Sequence, residues 1–363
     1  MRRRGLGALA ILVAGCAAET APDAGPIARV RAPIVGGVRS GAEHDAVVIL
    51  AHFSGGTRRT LCTATAVAPT LIVTARHCVS VTDPDVICTA SGATGAARSL
   101  EADRPAATLA VFAGAGGEAP DISVDAAAEA HGARLVVSSG TTVCDDDLAF
   151  VILDRPLAAY APVTLGRASV GEEVQVIGWG LDETGALGRT RRARADVPVL
   201  GVGPASYAED PRGGYGVAEL AIGESACIGD SGGPALTSSG AVLGVASRAE
   251  NGNPTDPANR AAPCTGGSID VIFGMLGGHE ELVRRAVVVA GEPLWLDGEP
   301  DPRAPEPAPP RATEKRTTKA TLDVPPPAPA AEGCATGGRP RAPSAGVILG
   351  LAALAAVLRR RGQ

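Results

Sequence analysis

The residues with the most pointed chemistry lie in one string, Cys227-Ile228-Gly229-Asp230-Ser231-Gly232-Gly233-Pro234. A serine set between glycines can sit on a tight loop with its hydroxyl exposed. Small neighbours also let a carbonyl approach backbone N–H groups, as a hydroxyl nucleophile requires. Short Gly-Ser-Gly strings are often plain surface turns, but the unbroken run from Gly229 to Pro234 is far more restrictive. A hydroxyl is a weak nucleophile unless an imidazole takes its proton, and the imidazole needs a carboxylate to orient it. Of the five histidines, His44 and His52 stand in or beside an early strand, His131 in an Ala/Gly loop and His279 at a helix start, places that suit surface or helix-end roles. His77 differs: it follows the apolar run Leu71-Ile72-Val73-Thr74 and directly precedes Cys78, so a disulfide can pin its backbone where a strand runs out. The consecutive Asp145, Asp146 and Asp147 supply candidate carboxylates, and such a charge run otherwise reads as a solvated loop.

The elements that must position these groups are short. Between Ile34 and about Trp295, apolar runs are broken by Gly, Pro, Asp and Ser: Val47 to Ala51, Thr63 to Ala68, Leu71 to Thr74, Leu135 to Val137, Leu148 to Leu153, Val174 to Ile177 and Val242 to Ala246. Runs of this length, rich in Val and Ile and spaced by turn residues, predict an all-β barrel or sandwich rather than βαβ units. One helix is expected around Glu280 to Val289, where Leu282, Val283, Ala286 and Val287 share a face.

Composition narrows the chemistry. The chain has 363 residues, 45% hydrophobic and 20% charged, enough for a sizeable core. Phe, Trp and Tyr are scarce and the net charge is −6, which argues against nucleic acid as a partner. The only lysines, Lys315 and Lys319, fall in a Pro-rich tail, so the body holds no amine for a Schiff base, a Ser/Lys dyad or a P-loop. Of eight cysteines, Cys16 and Cys334 sit in the terminal segments. The other six, Cys62, Cys78, Cys88, Cys144, Cys227 and Cys264, suit three disulfides in an oxidising compartment, with 15 connectivities open on count alone. None has zinc-type Cys-x-x-Cys spacing, so no metal is expected.

Both ends read as addresses. Residues 1–16 carry three arginines, an apolar stretch and Gly15-Cys16, the layout of an export signal; Val13-Ala14-Gly15-Cys16 resembles a bacterial lipobox, which implies lipidation of Cys16. Residues 17–33 then form a propeptide or linker, 34–296 the main domain, 297–343 a Pro-rich linker and 344–363 a sorting or membrane segment. The apolar run from Ala345 to Leu358 reaches only about 21 Å as a helix, short of the ~30 Å hydrocarbon core. With Gly333-Cys334 before it and Arg359-Arg360-Arg361 after, the tail resembles the MYXO-CTERM surface-sorting signal; a simple membrane helix is the alternative. Attachment to a membrane or cell surface through one or both termini follows from either reading.

Several of these motifs together resemble the chymotrypsin/trypsin-like serine peptidases. Cys62-Thr63-Ala64-Thr65 through Ala75-Arg76-His77-Cys78 is similar to their histidine motif, Asp147-Leu148-Ala149-Phe150 to the aspartate motif and Gly229 to Pro234 to the serine motif. Ile34-Val35-Gly36-Gly37 is similar to the mature N-terminus and Ile177-Gly178-Trp179-Gly180 to an interbarrel stretch. The resemblance implies two six-stranded antiparallel β-barrels with a C-terminal helix, and an exported serine endopeptidase acting on polypeptides through His77, Asp147 and Ser231 with no cofactor. It further implies an oxyanion hole from the N–H groups of Gly229 and Ser231 and disulfides Cys62–Cys78 and Cys227–Cys264, leaving Cys88 with Cys144 by elimination. An amine at Ile34 would pair with Asp230 after a cut by an activating peptidase, although Pro33 offers no basic residue at that bond. Ser225 stands at the primary pocket position without the acid of trypsin-like members, and Ser247-Arg248-Ala249 replaces the usual Ser-Trp-Gly at the wall. An apolar or mixed pocket is expected. A catalytically silent binding or adhesion module on the same fold is the competing reading.

Overall fold

The computed structural model describes residues 34–304 apart from 83–85, 96–98, 188, 207–212, 251–257, 259 and 267–268. Cys16, Pro33, Cys334 and the two terminal segments therefore lie outside the described residues. Strand β1 (Val47–Ser54) turns into β2 (Thr57–Ala68) through Gly55 and Gly56, both at positive φ, as a two-residue hairpin turn requires. With β3 (Leu71–Thr74), β4 (Leu109–Phe112), β5 (Ala130–Val137) and β6 (Ala149–Leu153), these form a closed antiparallel barrel in the order β5-β6-β3-β2-β1-β4. His131 lies in β5, opposite Ala110 of β4, and not in the loop its Ala/Gly surroundings suggest.

A second set comprises β7 (Glu173–Gly178), β8 (Arg192–Val202), β9 (Glu219–Ile222), β10 (Pro234–Leu236), β11 (Val242–Glu250) and β12 (Asp270–Met275). It runs β8-β7-β10-β11-β12-β9 and closes through antiparallel pairing of β8 with β9, with Val38–Arg39 added at β8. The expected pair of six-stranded antiparallel barrels is present. Ile72 and Val73 of β3, Phe150 of β6 and Phe273 of β12 are fully buried, as apolar side chains inside closed sheets should be. Helix α1 (Glu280–Ala290) buries Leu282, Val283, Ala286 and Val287, the face read from the sequence, against a cluster that includes Leu148 and Trp179. Gly291, at φ 71°, ends it by donating to the carbonyls of Val287 and Val288.

Residues 297–304, linker-like in composition, fold back onto the first barrel's exit. Val163 N–H donates to Trp295 O (3.0 Å) and Asp297 N–H to Val163 O (2.9 Å). The Tyr160 ring meets Trp295 edge-on and carries Arg303 over its face, while its hydroxyl donates to Asp301 (3.0 Å) and Arg303 pairs with Glu292 (3.3 Å). The disulfides are Cys62–Cys78, Cys88–Cys144 and Cys227–Cys264. They suit an oxidising, extracytoplasmic compartment. Among the described residues no helix is long and apolar enough to cross a membrane.

Candidate active site

β3 ends at Thr74, and the next residues turn into a short 3-10 helix, Arg76–Cys78, that presents His77. Three links hold this turn. Cys78 is bonded to Cys62 of β2; the Thr74 hydroxyl donates to Thr63 O (2.9 Å); and buried Arg76 donates to the carbonyls of Ser138 (2.9 Å) and Gly140 (2.8 Å) on the segment leading to Asp147. Asp147, immediately before β6 and 3% exposed, receives both His77 donors: the backbone N–H at Oδ1 and ring Nδ1 at Oδ2, each at 2.8 Å. Ser247 of β11 donates to the same Oδ2 at 2.6 Å, so the second barrel also braces the carboxylate. Of the three consecutive aspartates, the structure brings Asp147 to His77, whereas Asp145 accepts from Ala218 N–H (2.8 Å).

A carboxylate on Nδ1 assigns the ring proton there and leaves Nε2 as the acceptor. Burial alone would push His77 down, but the charge and hydrogen bond of Asp147 outweigh it and hold the imidazole above the usual histidine value. Asp147 is the converse case. Burial would raise it, yet the His77 charge and the hydrogen bonds from His77 and Ser247 hold it below the ordinary carboxylate range.

The Ser231 loop seats against both flanks of the turn. Ser231 O accepts from Thr63 N–H of β2 (2.9 Å), and Gly232 N–H donates to Ala246 O of β11 (2.7 Å). Gly232 has φ 78°, and a Cβ there would meet Thr74 Oγ1 at 2.0 Å and Thr63 O at 2.4 Å, so only glycine lets the nucleophile loop close on the strand that carries His77. The Ser231 hydroxyl, on a partly exposed residue, makes no hydrogen bond to a described residue. Catalytic contacts of this kind are often long without substrate and tighten when it binds. Gly229, at φ 97°, is held by its carbonyl, which accepts from the Thr63 hydroxyl (2.9 Å). The N–H groups of Gly229 and Ser231 donate to no backbone carbonyl among the described residues.

Asp230 points the other way, into the second barrel, 1% exposed. Its oxygens accept from Gly180 N–H (2.7 Å) and Cys227 N–H (2.9 Å), and the Ile34 backbone N–H donates to the same carboxyl. Burial dominates nonetheless and pushes Asp230 up to about 7. Ile34 is fully buried and Val35 N–H donates to Ser225 O (2.7 Å), so the segment is docked beside the Ser231 loop.

A cavity of about 160 Å³ opens beside Ser231, walled by Ala226, Ile228, Ala246, Ala249, Pro263 and the Cys227–Cys264 disulfide, with no carboxylate among its described lining residues. Ala249 and Ser247 are among its lining residues; Ser225 is fully buried, with its hydroxyl donating to Gly223 O (3.0 Å). Arg248 also contributes to the wall, its guanidinium held by buried Glu219 through two bonds of 2.6 and 3.0 Å. Sequence reasoning missed Arg248–Glu219, the Ser247 bond to Asp147 and the Arg76 brace. Each is a long-range contact without a local signal. Cys62, Cys78 and His77 bring ligand-type atoms within 4.8 Å of one another, but the two sulfurs are bonded to each other and cannot serve as thiolates.

Two antiparallel barrels, with a His-Asp pair at their junction against a glycine-rich serine loop, define the double-barrel class of serine hydrolases. The trypsin family model matches residues 34–265, well over half the chain, and the protein belongs to the trypsin family, membership that implies a serine peptidase. A search of curated proteins finds no match.

Proposed function

We propose that this protein is an exported serine endopeptidase that cleaves polypeptides through an acyl-enzyme, with Ser231 as nucleophile, His77 as general base and Asp147 as the group that orients it. The carrying observation is the two-point grip of Asp147 on His77, made on a turn against which the Ser231 loop closes. Ser231 Oγ attacks the scissile carbonyl while His77 Nε2 takes its proton. The resulting oxyanion lies between the N–H groups of Gly229 and Ser231, each worth on the order of 3 kcal/mol in such sites. His77 then returns the proton to the leaving amine, and water repeats the sequence to release the acyl group. The alanine-walled cavity, with no acid among its described lining residues, favours an uncharged side chain on the acyl side of the bond.

A cut before Ile34 would place an ammonium on buried Asp230, and a buried carboxylate is tolerable chiefly as half of a pair. It would also free Ile34 from φ 54°, a conformation costly for a β-branched residue. We assign this cut to another peptidase, residues 1–16 to export with lipidation at Cys16, and residues 344–363 to surface sorting or attachment, with the part of 297–343 beyond the docked 297–304 as the connecting linker.

The test is active-site labelling of protein cut before Ile34. A fluorophosphonate is expected to label wild type and not Ser231→Ala. Absence of labelling after confirmed cutting would favour the silent binding module.

A further inference from the structure

β2 runs past the Ser231 loop in a fixed order. Thr63 bonds to the Ser231 carbonyl; Cys62 follows; Leu61 then borders Gly229, its Cδ2 3.2 Å from where a Cβ of that glycine would stand. Beyond Leu61, towards the start of β2, come Thr60, Arg59 and Arg58. Arg59 is the extra residue of a bulge opposite His52 and Phe53, so its exposed side chain turns out of the regular register. Arg104 reaches the same place from the segment after strand Leu100–Asp103, its Nη1 donating to His52 Nδ1 at 3.2 Å. His52 is held below the usual histidine value by burial and by the charges of Arg104 and Arg59, and no carboxylate among the described residues opposes them there. Asp103, next to Arg104 in sequence, is engaged elsewhere, with Ser80 (2.6 Å) and Arg76 (3.4 Å). Among the described residues none of Arg58, Arg59 and Arg104 forms an ion pair, and the buried Nε of Arg104 has no partner.

The guanidinium groups of Arg59 and Arg104, which both act on His52 and have no counter-charge among the described residues, repel each other, an arrangement that an arriving anion relieves. We infer that this patch is a subsite for acidic side chains of the polypeptide substrate, at the second to fourth residues after the cleaved bond. The side follows from the geometry. The acyl side chain enters the cavity on the β11 flank of Ser231, so the leaving segment runs along the β2 flank. An extended peptide advances about 3.3 Å per residue, so the stretch of β2 before Leu61 is matched to side chains a few residues past the cleaved bond. The inference rests on the peptidase reading above and adds a substrate preference to it.

The test uses the disulfide-bonded protein cut before Ile34 and two peptides identical up to the cleaved bond, one with Asp-Glu-Asp at positions two to four after it and one with Ala at all three. Wild type should favour the acidic peptide by about tenfold in kcat/KM at low ionic strength, and 0.5 M salt should erase most of the difference. In the double variant Arg59→Gln, Arg104→Gln the ratio should fall below about twofold, and in Arg59→Glu it should invert; cooperative thermal unfolding shows that each variant is folded. If wild type hydrolyses both peptides equally, or the variants keep its ratio, the subsite is refuted while the peptidase reading stands. If neither peptide is hydrolysed by protein that Ser231-directed labelling also leaves untouched, both fall. Discrimination by a sulfated polysaccharide, through tighter binding to wild type than to the variants, with no peptide preference, also overturns it.

Discussion

Asp230 makes the stability of the chain depend on whether the bond before Ile34 is intact. With Ile34 in peptide linkage, burial raises Asp230 from 3.8 to about 7 against three backbone hydrogen bonds. A rise of about three units, at about 1.4 kcal/mol each, corresponds to about 4 kcal/mol at most. Because the folded chain holds this proton more tightly than the unfolded chain, the contribution is fully present below pH 3.8 and is lost as pH rises from there through 7. After the cut, an ammonium beside the carboxylate should bring Asp230 below its ordinary range. The dependence then changes sign: its contribution is present above pH 4 and lost as pH falls. The assay is urea unfolding of both forms at pH 5 and pH 8 with disulfides intact, residues 1–33 being replaced by a removable tag that exposes Ile34. Other buried carboxyls contribute to the slope, so the decisive quantity is the difference from Asp230→Asn. That variant is destabilised at every pH, because an amide cannot accept from both Gly180 and Cys227, but it should lack the Asp230 part of the slope. An uncut wild-type chain with the same slope as uncut Asp230→Asn would refute the reasoning.

Two further expectations concern the catalytic centre. Since Asp147 holds His77 above 6.5, kcat/KM should rise with pH through a midpoint above that value; Asp147→Asn should lower the midpoint and cut kcat on the order of 10⁴-fold, as measured from pH profiles of peptide hydrolysis. Ser247→Ala removes the 2.6 Å bond to Asp147, a hydrogen bond to a charged group worth roughly 1.5–3 kcal/mol, and should lower kcat about tenfold or more with little change in KM. An unaltered kcat would show that the carboxylate is held without it.

The barrels were legible where strands are continuous apolar runs. β3 and β6 are buried on both faces and declare themselves in Leu71-Ile72-Val73 and in Leu148 to Leu153. β8 does not, because arginines, Asp196 and Pro198 alternate with the buried Ala193, Val197 and Val199, a half-buried pattern that a search for runs passes over. His131 was misplaced for a similar reason: Gly132 looks like a loop residue but lies at a bulge in β5, where a Cβ would meet Ala106 O at 2.5 Å. The helix was easy, since its four buried positions repeat at helical spacing. At the site, local strings located His77 and the Ser231 loop. What braces them could not be read locally, because Ser247 and Asp147 are 100 positions apart and Arg76 and Ser138 are 62 apart. Nor does composition distinguish residues 297–304 from the proline-rich sequence that follows, for their docking depends on Tyr160 and Trp295.

The clasp around Tyr160 has a mechanical consequence. A tug transmitted from beyond Ala304 would first meet Arg303, stacked on one ring and tied to two acids, and then the Asp297 and Trp295 main chain clipped to Val163. The strain would be taken up on the body itself before it reached α1. A protein tethered by its C-terminus could thus bear shear without unravelling its last helix, and the aromatic pair would set the force at which it lets go.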